Sequence, residues 1–175
     1  PRLAFGAQTL KVPVENTKFQ IAFNLLKVLK RTIYDVDENR EISAKNMPKV
    51  MTEIAKIEIG PARLLTMPGE INPELLVGYD ARWSFGKPQV TAGNIDPPDL
   101  SQAPAGPYLY DQLGGEPRAA IGLANDFLGY FVAPWNFRLD PFTPYFSDAP
   151  GHHYEETQSV GPSVVPMLLE AQRKL

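Results

Sequence analysis

The sequence predicts a mixed α/β (α+β) fold, a central β-sheet with flanking helices joined by long Pro/Gly-rich loops. Three observations carry that expectation. Apolar residues alternate along several short runs, the period of a half-buried strand. Another run recurs at three- and four-residue spacing, the period of an amphipathic helix. Between them lie 18 Pro and 13 Gly in 175 residues, short of low-complexity density but enough for long, rigid connections.

Taken in order, residues 3–14 read as a strand, with Leu10, Val12 and Val14 alternating against Lys11 and Pro13. Asn16-Thr17 offers a helix cap, and Phe19, Ala22, Phe23, Leu26 and Leu29 then form an apolar stripe through Arg31, expected to be core. Residues 35–46 open like a calcium loop, with Asp35, Asp37 and Asn39 at alternate positions. Arg40 stands where such a loop needs Gly and Asn46 where it needs Glu, so a solvated turn is expected. Two strands, 50–59 and 62–67, flank the turn Ile59-Gly60-Pro61. From Trp83 to Pro117 prolines and glycines break every period, and a long loop packed by its aromatic residues is expected. Residues 119–132 read as a buried strand, a polar break at Asn125-Asp126, and a second apolar stretch. The end, Ser163 to Lys174, reads as a short amphipathic helix with cations in its last turn.

Length and composition place the chain as one domain, or a piece of one. A formal net charge of −3 argues against nucleic acid as a partner, because phosphate binding needs clustered Lys and Arg. Cysteine is absent, which excludes disulfides, thiolate zinc sites and cysteine nucleophiles. No apolar run approaches the ~18 residues that span a bilayer. Pro1 as an amine base, as in tautomerases, fits poorly with a chain of this length and these loops. The phosphate-binding glycine loop, the Gly-x-Ser-x-Gly elbow and His-Glu-x-x-His are all missing.

Two places hold chemistry-bearing residues. Strand 62–67 runs into Pro68-Gly69-Glu70, which would fix a carboxylate at the rim of the core; the plainer alternative is a turn glutamate facing water. Residues 151–157 hold both histidines of the chain, His152 and His153, with Tyr154, Glu155 and Glu156. Adjacent histidines on a strand would point to opposite faces, so both would not reach one ion.

Thr66-Met67-Pro68-Gly69-Glu70, then Asn125-Asp126-Phe127-Leu128-Gly129-Tyr130, then His153-Tyr154-Glu155, ending near Gly161-Pro162, resemble the neutral/alkaline (non-lysosomal) ceramidase family. These are zinc-dependent amidases that cleave the N-acyl bond of ceramide. The resemblance covers roughly residues 45–165 and rests on the order of short motifs and the strands beside them. It implies that Glu70 and Tyr130 are zinc ligands and that Tyr154 helps hold the oxyanion. It leaves His153 and Asn125 as candidates for supporting those residues. The family's remaining ligands are histidines of an upstream half. Residues 1–175 are therefore expected to be one domain forming the C-terminal part of a larger ceramidase-like catalytic domain. A lipid-like substrate, the upstream segment of the parent protein and association with a membrane surface are the implied partners, and export or membrane attachment the implied location. The chain departs from the family in a longer Glu70–Tyr130 interval and in Glu155-Glu156-Thr157, where ceramidases carry small residues. The competing reading is a catalytically degenerate member that serves as a binding module. Without the resemblance, Tyr130 reads as an ordinary core aromatic beside Phe127 and Phe131.

Overall fold

The computed structural model describes residues 2–25, 30–78, 99, 101–103, 105–151 and 154–175. Alternation in the first strand and in the 50–59 run yields β1 (Leu3–Pro13) and β2 (Lys49–Ile59), paired antiparallel along their whole length from Leu3↔Ile59 to Pro13↔Lys49. Gly60, at φ 59, takes the left-handed turn that reverses the chain into β3 (Ala62–Thr66), antiparallel to β2. β5 (Arg118–Ile121) returns parallel to β3, giving the order β1-β2-β3-β5. The fold is a mixed α+β arrangement, as the sequence predicts.

One face of this sheet is the core. Val12 and Val50, Ile54 and Leu65 are buried with Val164, Val165 and Leu168 of α4 (Val164–Gln172). Burial of each such side chain stabilises by about 1.5–3 kcal/mol, which is what holds a nine-residue helix on the sheet. Glu15 sits at the amino end of α4, where its carboxylate accepts from the Ser163 N–H at 2.9 Å and the Ser163 hydroxyl at 2.8 Å. α2 (Pro73–Val77) and α3 (Leu109–Leu113) pack together and add Leu75, Leu109 and Leu113 to the same core. Among the described residues no helix is long and apolar enough to cross a membrane.

Two expectations change. Of the helix foreseen over 17–31, Thr17–Gln20 forms one α-helical turn, α1, and Ile21–Leu25 a π-helical turn; Lys30 and Arg31 are not helical, and residues 26–29, with Leu26 and Leu29 of the stripe, lie outside the described residues. Asn16 caps it as read, its side chain accepting from the Phe19 N–H at 3.3 Å. The stretch 83–117 is not structureless throughout, since α3 lies within it; residues 79–98 are outside the described residues. The calcium-like loop closes on itself. The Asn46 side-chain amide donates to the carbonyls of Asp37, Arg40 and Glu41 at 3.0, 3.3 and 3.2 Å, filling the centre where an ion would need ligands.

Candidate active site

The apolar stretch 119–132 splits between two sheets. After β5 the chain turns through Leu123 and Asn125, both at positive φ (55° and 66°), conformations that cost a non-glycine residue about 1–2 kcal/mol. It emerges as β6 (Tyr130–Phe131), which pairs in parallel with β4 (Glu70–Ile71) in a second, two-stranded sheet. The register is Glu70↔Tyr130 and Ile71↔Phe131. Register partners on neighbouring parallel strands project to the same face, so Glu70 and Tyr130 leave the same side of two backbones about 4.8 Å apart. Phe131 alternates to the other face and is fully buried.

Glycines allow the close approaches that set this register. A Cβ on Gly129, at φ 84, would lie 1.7 Å from the Gln158 carbonyl oxygen. Only glycine lets β6 run against the segment at Ser159, with which Gly129 forms an antiparallel bridge. A Cβ on Gly69 would lie 2.4 Å from the Gly129 carbonyl oxygen, and the next residue, Glu70, donates its N–H to that oxygen at 3.0 Å.

The bridge brings in Tyr154. It precedes a 3-10 turn, Glu155–Gln158, in which the Thr157 hydroxyl donates to the Tyr154 carbonyl at 2.8 Å. Two buried side chains peg this turn: Asn16 donates to the carbonyls of Thr157 and Ser159 at 3.2 and 2.7 Å, and Glu156 accepts from the Arg138 N–H at 3.2 Å. The Tyr130 and Tyr154 hydroxyls then meet at 2.9 Å, with the rings edge to face at 5.5 Å between centroids and 85° between planes. The Tyr130 phenol is pushed up to about 12. Its hydrogen bond to Tyr154 is the main cause, followed by partial desolvation and the negative charges of Glu70 and Glu155. Those carboxylates hold the proton on Tyr130, and the same negative field would favour a cation placed among them.

Glu70, Tyr130 and Tyr154 are thus one cluster, although 84 residues separate the first from the last. Asn125 is not part of it; its amide turns to Glu53 on β2, at 3.5 Å. His153, with His152, lies outside the described residues. Glu155, which closes the third motif, also reaches Tyr130 electrostatically, a role its sequence position does not signal.

Tyr130 and Tyr154 form one edge of a cavity of about 480 Å³ whose walls are mostly apolar, with Phe19, Phe23, Val50, Phe127, Leu128 and Val160 joined by Arg31 and Gln158. The stripe expected to be core therefore contributes Phe19 and Phe23 to a cavity wall as well as to packing. No periodicity distinguishes those two roles, although a π turn beside a cavity is where such local departures tend to fall.

As donors, the Glu70 carboxylate and the Tyr130 oxygen are the hard or borderline ligands that zinc accepts. Among the described residues no three His, Asp or Glu side chains gather into a metal-sized group. The pair fits zinc in kind and is short in number of the three protein ligands usual at a catalytic site. No protein-family model, curated protein or solved structure matches this chain. Fold and site define an α+β chain with a carboxylate–phenol–phenol cluster at the edge of an apolar cavity.

Proposed function

We propose that this chain is the C-terminal part of a zinc-dependent hydrolase of the ceramidase-like kind, cleaving an N-acyl, ceramide-like amide. The meeting of Tyr130, paired in register with Glu70, and Tyr154 at the lining of one mostly apolar cavity supports that reading more than any other observation. Glu70 and Tyr130 would hold the metal, together with histidines of an upstream segment. Bound zinc lowers the pKa of a coordinated water from 15.7 to about 7, which supplies hydroxide at neutral pH.

The chain's own residues do the rest. The apolar wall takes the acyl chain, which gains about 0.8 kcal/mol per buried methylene and so orients the amide toward the tyrosines. When the amide carbonyl is attacked its oxygen becomes an anion. The Tyr154 hydroxyl, half exposed and a hydrogen-bonding partner of Tyr130, would donate to it. One such donor is worth about 2.7–4 kcal/mol in the transition state. A second reading, a degenerate member that only binds amphiphiles, draws on the same cavity and on the shortage of metal donors among the described residues.

Metal analysis with an N-acyl-sphingosine hydrolysis assay separates them. The parent protein carrying the upstream segment is expected to hold one zinc and to hydrolyse the amide, and Glu70→Ala and Tyr130→Phe to lose both. The 175-residue chain alone is expected to bind zinc weakly. Tight stoichiometric zinc on the isolated chain would refute the need for upstream ligands; a parent without zinc or turnover leaves the binding module.

A further inference from the structure

Arg31 lines the cavity from the segment that follows the π turn. Its Nη1 donates to Asp126 Oδ1 at 2.6 Å, its Nη2 donates to Asp126 Oδ2, and Nη2 also donates to the Met51 carbonyl at 2.7 Å. A two-pronged guanidinium–carboxylate pair fixes the planes of both groups, and the third bond ties that unit to β2. With side chains 27% and 17% exposed, this is not a solvated surface contact. Its carboxylate end accepts from the Phe127 N–H at 2.8 Å, so the pair grips the loop at the residue where the cavity wall begins.

That loop needs gripping. Leu123 holds a left-handed conformation that residues with a bulky side chain avoid, beside Asn125 in one that asparagine tolerates, and the strained bend at Leu123 persists only while its surroundings maintain it. The same loop leans on the turn that presents Glu70: Leu123 and Ala124 donate to the Gly69 and Met67 carbonyls at 3.1 and 3.0 Å, and Leu128 to Pro68 at 2.8 Å. Phe127 is 61% exposed and borders the cavity, so its position is set by the backbone that Asp126 holds and not by burial.

We propose that Arg31 and Asp126 are positioning residues whose ion pair braces residues 122–129 as a cavity wall and thereby sets which acyl chains the cavity admits. The chain-selection part rests on the hydrolase reading; the brace does not. Wild type is compared with Asp126→Asn, Arg31→Met and the double variant. In the variants, amide hydrogen exchange at Leu123, Ala124 and Leu128 is expected to rise about tenfold, with Ile54 and Leu65 unchanged. The affinity for cis-parinaric acid, a fluorescent long-chain fatty acid, is expected to fall several-fold. The double variant is expected to be no worse than either single one, because the two side chains act as a unit. In the intact hydrolase kcat/KM is expected to fall several-fold more for long-chain than for short-chain N-acyl amides.

Unchanged exchange at the three loop amides overturns the brace, and so does acceleration that extends equally to Ile54 and Leu65. Equal loss of kcat/KM on long and short substrates overturns chain selection. A wild-type chain that takes up no probe refutes the cavity as an acyl site, and the exchange data then decide the brace by themselves.

Discussion

β1 and β2 are 11 residues each and hydrogen-bond along their full length, whereas β4 and β6 are 2 residues each. The long pair carries its own stability: a ladder, an apolar face, and α4 laid upon it. The short pair has almost no ladder and is held from outside, by the Gly129 bridge, the Asn16 peg and the Arg31–Asp126 brace. A sheet that stabilises itself tolerates local damage as a loss of energy. A sheet assembled by remote single residues loses geometry first, and the tyrosines ride on that geometry.

The widest separation between the two regions comes from Ile54→Ala in the fully buried face of β2. It is expected to cost about 2–5 kcal/mol in urea unfolding while leaving the Tyr130–Tyr154 contact in place in the folded fraction. Gly129→Ala is expected to cost about 3 kcal/mol and to separate the two phenols, because its Cβ meets the Gln158 carbonyl, a backbone atom that cannot swing aside. The matched control in the large sheet is Gly60→Ala, also at positive φ but with nothing within 4 Å of the added Cβ. There only the backbone term of about 1 kcal/mol should appear, and near-equal losses at the two glycines would erase the contrast.

Much of the fold was legible because its signals are local. Alternation located β1, the turn signal at Gly60-Pro61 located β2 and the mostly apolar β3 on either side of it, all almost to the residue, and Asn16 announced a helix start. The helix beyond Gln20 was misjudged because Phe19, Ala22 and Phe23 keep helical spacing while the backbone widens to a π turn and one side of the stripe faces a cavity. The clustering of Glu70 with Tyr130 has no such signature. Two-residue strands show no period, the parallel register follows from backbone approaches at Gly69 and Gly129, and only the family's motif order pointed there. Arg31 and Asp126, 95 residues apart, are individually unremarkable in sequence.

Smaller effects sharpen the comparison further. Tyr154→Phe removes one hydrogen bond between partly exposed phenols and should change unfolding free energy by no more than about 1 kcal/mol. If the chain belongs to the proposed hydrolase and the hydroxyl serves the oxyanion, the same change should lower kcat by about 10²–10³. Smallest is an acid effect confined to the loop. Burial pulls the Asp126 carboxyl upward, but the Arg31 hydrogen bonds, the Phe127 N–H and the guanidinium charge outweigh it and hold the group below its ordinary value of 3.8. A depressed carboxyl stabilises the fold above its unfolded pKa, and that contribution is lost as pH falls through the folded value. Loop exchange at Leu128 should therefore accelerate only in acid, and Asp126→Asn should abolish the step.

Asn16 has a consequence for how the chain can be divided. Its one carboxamide accepts from the first helical turn, which leads to Phe23, and donates to the turn that follows Tyr154. Trimming the first strand and cap would thus untie the far end of the molecule, roughly as pulling a keystone loosens both sides of an arch. Cleaving the chain anywhere between these two points should yield halves that regain neither cavity nor tyrosine contact until they are mixed.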